Sequence, residues 1–340
     1  VRQIWIPKAG PPEVLELREA ADPLPEPGEL RIRVAASGVN FADVVGRLGQ
    51  YPDLPPMPVV VGYEVAGRVD AVGDDVGEDW IGRDVLAMTR FGGYSDVVCA
   101  PEAQVHARPP GMSAEEGAAL PVNYLTAWQL LRVMGGLRAE ETVLVHSAGG
   151  GVGIAAIQIA RWIGARVFGT ASAGKHDALA KLGVAACIDY RTEDFEARVR
   201  DLTRGRGVEL VIDAQGGRSF KKSFRALAPT GRLGMFGLAS AATGKTPNKL
   251  SLLRAVAGMP WLQFNPVTLM NQNKGVFGVN MGHLWDEVDR VSGWLESLLE
   301  LYVEGAIRPV IAERFPFERA AEAHHYLQDR KNFGKVLLVP

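Results

Sequence analysis

Two hydrophobic patterns divide the chain. Up to about residue 120, apolar positions come in short runs punctuated by proline and glycine. ELRIRVAASGVN (29–40) alternates apolar and polar residues after a Pro-Gly turn. VVVGYEVAGRVDAVG (59–73) is β-branched and broken by glycines, and YSDVVCAP (94–101) is a further short strand. This pattern predicts a β-rich domain with prolines in its loops. From about Thr126 the pattern changes. TAWQLLRVM (126–134) has helical spacing, with Thr126 placed to cap it and Gly135-Gly136 to stop it. Strands and helices then alternate: TVLVHS, a helix from Val152, RVFGTA, a helix over KHDALAKLG, ACIDY, a helix over FEARVRDLTRG, VELVIDA, a helix over FKKSFRALAPTG, RLGMFGLA and later GVFGVN. Alternation of this kind predicts a parallel sheet with helices on both faces, and the continuous apolar run VELVIDA suits a strand buried on both sides. WDEVDRVSGWLESLLELYVEG (285–305) predicts one long amphipathic helix. The tail RPVIAERFPF, ERAAEAHHYLQDR and GKVLLVP returns to strand, helix and strand, so the β-rich domain is expected to be completed by the C-terminus.

The expected fold class is therefore α/β, and 340 residues fit two domains. The expected bounds are residues 1–122 with 302–340 for the β-rich domain and 123–301 for the sheet-and-helix domain.

The strand at 142–147 runs into Ser147-Ala148-Gly149-Gly150-Gly151-Val152-Gly153 and then into a helix. A helix N-terminus offers unpaired N–H groups and a positive dipole end to an anion, and glycines let the backbone approach a pyrophosphate. Strand, glycine loop and helix in this order point to a dinucleotide. NAD-binding folds hold the ribose 2′-hydroxyl with an Asp or Glu about 20 residues on. Here Ser172 lies nineteen residues past Gly153, and no acid occurs from Phe168 to His176. Ser172 and Lys175 instead offer a hydroxyl and a cation, which suit a 2′-phosphate, so NADPH is expected over NADH. Tyr190, just after the third strand, could add its hydroxyl.

Charge and cysteine usage narrow the remaining classes. The net charge of −2 gives no global field for nucleic acid. Cys99 and Cys187 are the only cysteines and form no C-x-x-C pair, which excludes a disulfide framework and a four-cysteine zinc site. VRQIWIPKAGPPEV lacks the apolar core of a secretion signal, and no run of about 18 apolar residues appears, so a cytoplasmic protein is expected.

The stretches ASGVNFADVVGRLGQYP, VVVGYEVAGRVDAVG, LPVNYLTAW, VLVHSAGGGVG, GTASAGKHDAL, IDYRTEDF and KNFGKVLLVP, in this order, span almost the whole chain. With them the chain resembles the medium-chain dehydrogenases/reductases, more closely their zinc-free quinone oxidoreductases (the zeta-crystallin group), and within these the vesicle amine transport protein subgroup. The resemblance implies a GroES-like catalytic domain, a Rossmann domain and a cleft between them. It also implies a homodimer through the Rossmann domains, with Val276 to Asn280 near the sheet edge. It carries Asn40 and Asp43 onto the G-V-N-x-x-D segment, Tyr51 onto a tyrosine at the cleft, and Thr126 onto a threonine by the nicotinamide. Gly150, Gly151 and Val152 match the pyrophosphate loop, and Ser172, Lys175 and Tyr190 the adenosine-phosphate contacts. Phe236, Gly237 and Phe277 match contacts to the nicotinamide half, and Asn332 a C-terminal cofactor contact. Ser147 departs from the Gly or Ala common at its position.

Zinc-dependent relatives carry a cysteine where Asn40 stands and a histidine where Tyr63 stands. With those ligands replaced, no zinc is expected, and hydride must come from the nicotinamide alone. The resemblance then implies NADPH-dependent reduction of quinones or α,β-unsaturated carbonyls. Tyr51 is the candidate proton donor or, equally, an aromatic wall of the cleft. Asn40 is expected to orient the nicotinamide ribose or a water, and Asp43 to hold its loop. The alternatives are an enoyl-thioester reductase of the same fold and, in another class, an NADPH-binding protein of little turnover. Residues 243–285 are rich in Leu, Met, Phe and Trp. They read as cleft lining with dimer contact or, alternatively, as a surface meeting a membrane or partner through 250–270, with Trp261, Leu262 and Phe264 exposed.

Overall fold

The computed structural model describes residues 1–242, 244–261 and 264–340, and of Lys249, Ser251 and Leu252 the backbone. The chain forms two compact units. The first comprises Val1–Leu125, Gly244–Pro247 and Met281–Pro340, the second Thr126–Thr243 and Asn248–Asn280.

In the first unit the long strand Glu29–Val39 is the organising element. It pairs antiparallel with Glu64–Val72, with Val97–Pro101 and with Lys335–Val339, so the C-terminus does complete this sheet. Asp84–Met88 and Val105–Ala107 extend it on one side, and Ile311–Pro316 lies beyond Lys335–Val339 on the other. A smaller antiparallel sheet joins Arg2–Ile6 to Glu16–Glu19 and Val59–Val60. The alternation seen in ELRIRV is real: Leu30, Ile32 and Val34 are buried with Val65, Val69 and Val85. Two helices in this half have no counterpart in the sequence reading. Phe41–Arg47 follows the strand directly. Ala114–Ala119 opens on a capping box in which the Ser113 hydroxyl accepts from Glu116 N and the Glu116 carboxylate accepts from Ser113 N.

The second unit is a six-stranded, all-parallel sheet. Its order is Ala186–Asp189, Arg166–Ala171, Thr142–Val145, Val208–Asp213, Leu227–Met235, Gly275–Gly278. The chain builds outward from Thr142–Val145 in one direction, then returns to its other side at Val208–Asp213. The carboxyl ends of these two central strands form the topological switch point where such sheets take ligands. Gly275–Gly278 is an edge strand, as expected.

Three expectations change. Thr126 is not a cap: the helix starts at Pro121 and runs to Trp128, continuing as a wider turn over Gln129–Val133. Proline at a first helical position costs no hydrogen bond, which moves the start upstream. The helix read over FKKSFRALAPTG spans only Arg218–Arg225, because Leu227 already pairs with Val208 in the sheet. The domain bounds also differ: Met281–Leu301 belong to the first unit. Val291 and Leu295 of the helix Val288–Val303 share a small apolar pocket with Met88, His106 and Leu284, and Ser292 bonds His106 (3.3 Å).

Candidate active site and cofactor loop

The glycine loop lies at the switch point. Helix Gly151–Ile163 starts immediately after it, with Gly150 at the N-cap. A Cβ on Gly153 would stand 2.5 Å from Ser147 O and 2.7 Å from Ala148 O, so the helix can approach its own loop this closely only through glycine. Ala148 N donates to Thr170 O (3.0 Å), tying the loop to the next strand. That strand ends at Ala171, so Ser172 follows at the carboxyl edge, opening the short turn Ala173–Lys175. In the parallel register Ala171 lies beside Asp189, which puts Tyr190 next to Ser172 along the same edge. On the other side, Phe236 N donates to Asp213 O (3.2 Å), and a Cβ on Gly237 would meet Ala214 O at 3.1 Å. Gly234 faces Phe277 in register, and Leu130, one turn after Thr126, also packs on Gly234. The structure thus brings Gly150, Gly151, Val152, Ser172, Lys175, Tyr190, Phe236 and Gly237 to one end of one sheet, with Phe277 on its edge strand.

Beneath the loop is a buried polar group that the sequence did not signal. His146 contacts the hydroxyls of Thr170 and Ser223 (3.1 Å each), and Asp213 accepts from Ser219 and Ser223 (2.7 Å each). Burial holds the His146 pKa down despite Asp213, which keeps the ring neutral.

In the first unit Asn40 is buried and its amide is committed. Nδ2 donates to Glu64 Oε1 (3.0 Å) and Oδ1 accepts from Lys335 Nζ (2.6 Å). Lys335 also bonds Glu64 Oε1, and Glu64 Oε2 accepts from Val122 N (2.8 Å). A Cβ on Gly38 would lie 2.5 Å from Glu64 Oε1, so that glycine is what admits the carboxylate. Asp43 is fully buried and does hold its loop, accepting from Asn40 N (2.7 Å), Gly62 N (3.2 Å) and Tyr94 OH (3.1 Å). Burial pushes its pKa up to about 7, against the opposing pull of the Asn40 N–H, of Lys335 and of the Tyr94 hydroxyl. Asn332 is buried too, donating to Gly334 O (3.0 Å).

Tyr51 lines a cavity of about 260 Å³ with Tyr63, Phe91, Trp285, Arg90 and the Asp53–His283 pair. Its ring meets Tyr63 edge-on (6.2 Å between centroids), and Tyr63 packs on Phe91 (5.3 Å). Burial, then the Asp53 carboxylate, raises the Tyr51 pKa, so the phenol keeps its proton. His283 bonds Asp53 at 2.7 Å across 230 positions of sequence, a pairing no local pattern could reveal. Gly282, His283 and Trp285 in this wall show that the end of the 243–285 region lines a cavity that is partly polar.

The donor set around Asn40 does not suit zinc. Asn40 and Tyr63, which the resemblance sets against zinc ligands, are an amide and a phenol, and the Lys335 ammonium already sits on Glu64. Among the described residues, no group of three or more His, Cys, Asp or Glu is placed to hold a metal. Burial pushes the Cys99 thiol up to about 11, which leaves it unreactive near neutral pH.

Residues 250–270 divide. Leu250, Leu253, Trp261, Val267 and Met270 are exposed, Trp261 at 66%. Phe264 is not: it packs on Phe224 (5.5 Å) against the sheet core. Leu262 lies outside the described residues. Among the described residues no helix is long and apolar enough to cross a membrane.

Residues 26–110 match the alcohol dehydrogenase GroES-like domain, and residues 182–338 match the family described as zinc-binding dehydrogenase. The mouse synaptic vesicle membrane protein VAT-1 homolog is 43% identical over 329 residues, 96% of this chain and 80% of that protein. A quinone oxidoreductase of Pseudomonas aeruginosa is 35% identical, covering all of this chain and 99% of that one. The solved Escherichia coli quinone oxidoreductase complexed with NADPH superposes with a TM-score of 0.87 at 29% identity, covering both chains fully. With its GroES-like and Rossmann units, the chain belongs to the medium-chain dehydrogenase/reductase superfamily, in the quinone oxidoreductase-like group close to the VAT-1 homologs.

Proposed function

We propose that the protein is a zinc-independent, NADPH-dependent reductase of quinones or α,β-unsaturated carbonyls. The observation that carries the reading is the cavity of about 260 Å³ walled by Tyr51, Tyr63, Phe91 and Trp285, in a chain whose other unit presents a dinucleotide loop. Aromatic walls suit a flat conjugated acceptor. When bound, NADPH supplies hydride from its nicotinamide. Gly150, Gly151 and Val152 would hold its pyrophosphate, Ser172, Lys175 and Tyr190 its adenosine phosphate, and Thr126, Phe236, Gly237, Phe277 and Asn332 the nicotinamide half. A conjugated acceptor moves the arriving charge onto oxygen, and Tyr51 is a protonated phenol available to neutralise it. Asn40, clamped by Glu64 and Lys335, would present a fixed dipole to the ribose or a water.

The expected result is NADPH oxidation with 1,2-naphthoquinone and 9,10-phenanthrenequinone and little with a crotonyl thioester. The reverse ranking would favour the enoyl-thioester reductase. Binding of NADPH with turnover of none of the three would leave a cofactor-bound protein without this activity. For the cofactor, Lys175→Ala is expected to weaken NADPH roughly tenfold and NADH little, since a cation on a phosphate is worth about that factor. Equal losses for the two in a binding titration would refute the 2′-phosphate assignment.

The edge strand Gly275–Gly278 supports the homodimer through the second unit, since its outer side pairs with no strand among the described residues. The exposed Leu253, Trp261, Val267 and Met270 support a peripheral contact with a membrane or partner through 250–270. No Asp or Glu occurs between Asp213 and Asp286, so this face sits in a wholly basic stretch. A cytoplasmic site of action is part of the same proposal.

A further inference from the structure

We propose that the Ser147 hydroxyl donates directly to the pyrophosphate of the bound dinucleotide, and that Gln215 is the positioning residue that aims it. The inference rests on the NADPH reading above. Ser147 has φ 54°, in the left-handed region that favours glycine. Glycine would sit there without strain, so the serine side chain needs a reason to be present.

The reason lies in the direction of the hydrogen bonds around it. Asp213 as a carboxylate only accepts. Ser223 therefore gives its proton to Asp213 Oδ2 (2.7 Å) and accepts from His146 Nε2 (3.1 Å). That fixes His146 with its proton on Nε2, so Nδ1 accepts from the Thr170 hydroxyl (3.1 Å). Thr170 Oγ1 is then left as the acceptor for Ser147 N (3.3 Å). On the other side, Asp213 Oδ1 accepts from Gln215 N (2.7 Å), and Gln215 Nε2 donates to Ser147 Oγ (2.7 Å). The ring closes on Ser147 from both sides. It satisfies the residue's backbone donor and one hydroxyl lone pair, and it leaves the hydroxyl proton pointing to no acceptor among the described residues. Ser147 is exposed at the mouth of the turn that opens helix Gly151–Ile163. A preset O–H donor beside that helix's first amides is what a phosphate oxygen needs, and the ring has already ordered it before the ligand arrives.

The test uses the full chain, the variants Ser147→Gly, Gln215→Ala and their double, and calorimetric titration with NADPH and with adenosine 2′-monophosphate. The second ligand keeps the 2′-phosphate and lacks the pyrophosphate. Ser147→Gly tolerates the left-handed backbone and removes the CH2OH side chain, hydroxyl included. It is expected to weaken NADPH about tenfold, as loss of a bond to a charged group does, and to leave adenosine 2′-monophosphate unchanged. Gln215→Ala should weaken NADPH about threefold, and the double variant should be no worse than Ser147→Gly alone, because Gln215 acts only through Ser147. The proposal is overturned if Ser147→Gly binds NADPH within twofold of wild type. It is also overturned if both ligands weaken in parallel, which is the mark of a loop merely disordered. Failure of the unmutated protein to bind either ligand would overturn the NADPH reading itself and this assignment with it.

Discussion

Replacing Lys335 by methionine is expected to destabilise the first unit by about 3–5 kcal/mol, the cost of leaving one partner of a buried ion pair without the other. The Lys335 side chain is 3% exposed and that of Glu64 fully buried. The ammonium serves two groups, Glu64 Oε1 and Asn40 Oδ1. Removing it would strand a carboxylate whose remaining partners are Asn40 Nδ2 and Val122 N. It would also remove the positive charge that lowers the Asp43 pKa while keeping the Glu64 charge that raises it. The second substitution Glu64→Gln, which takes away the stranded charge, should recover most of the loss. Because two units need not melt together, the measurement is hydrogen exchange at the amides of Glu64–Val72 rather than a single melting temperature. A cost below about 1 kcal/mol for Lys335→Met, the range of exposed pairs, would show that water reaches the cluster.

This cluster marks the limit of what the sequence could disclose. The alternation of the second unit was legible because strand and helix impose different periods, and each element carries its own. The geometry of the glycine loop was legible for a related reason: strand, glycines and helix are adjacent in sequence, and one intervening helix sets how far on the next strand ends and Ser172 and Lys175 follow. The Ser113–Glu116 capping box was equally local, so the short helix Ala114–Ala119 could have been read from SAEE. The polar pairs were not of this kind. Glu64 meets Lys335 because their strands flank Glu29–Val39 on its two sides, and Asp53 meets His283 although both lie outside the sheets; neither pairing follows from spacing. In the sequence Glu64 is one acid inside VVVGYEVAGRVDAVG, and Lys335 opens the apolar run KVLLVP, with nothing to link the two. The bound at Met281 escaped for the same reason. An amphipathic helix shows that it has an apolar face, but not which unit the face will cover.

Substituting His324 by glutamine is expected to make the first unit more resistant to acid. His324 is fully buried, with Arg47 Nε donating to its Nδ1 (3.3 Å) and its Nε2 against Tyr94 OH (3.2 Å), which in turn donates to Asp43. Burial first, then the Arg47 guanidinium, depresses its pKa from 6.5 to about 3. A histidine depressed in the fold is harmless above its unfolded pKa and destabilising below it. The unfolded chain takes up a proton near pH 6.5 that the folded chain refuses until about 3, a loss of roughly 5 kcal/mol over that window. Asp43 acts with the opposite sign. Its pKa, raised from 3.8 to about 7, makes the fold bind a proton before the unfolded chain does. Stability from Asp43 is complete below pH 3.8 and lost as pH rises through 7, roughly 4 kcal/mol in all. Joined through one tyrosine hydroxyl, the two groups nearly cancel between pH 4 and 6.5, and the wild-type protein should show a shallow acid limb there. His324→Gln should then gain stability relative to wild type as pH falls from 6.5 towards 3. Asp43→Asn should lose it relative to wild type as pH falls from 7 to 4. Urea unfolding at a series of pH values, followed by exchange at strand amides of the first unit, reads both differences. Parallel acid limbs for wild type and His324→Gln would mean that His324 gains its proton in the folded chain as easily as in the unfolded one, and that the chain from Arg47 to Asp43 does not exclude water.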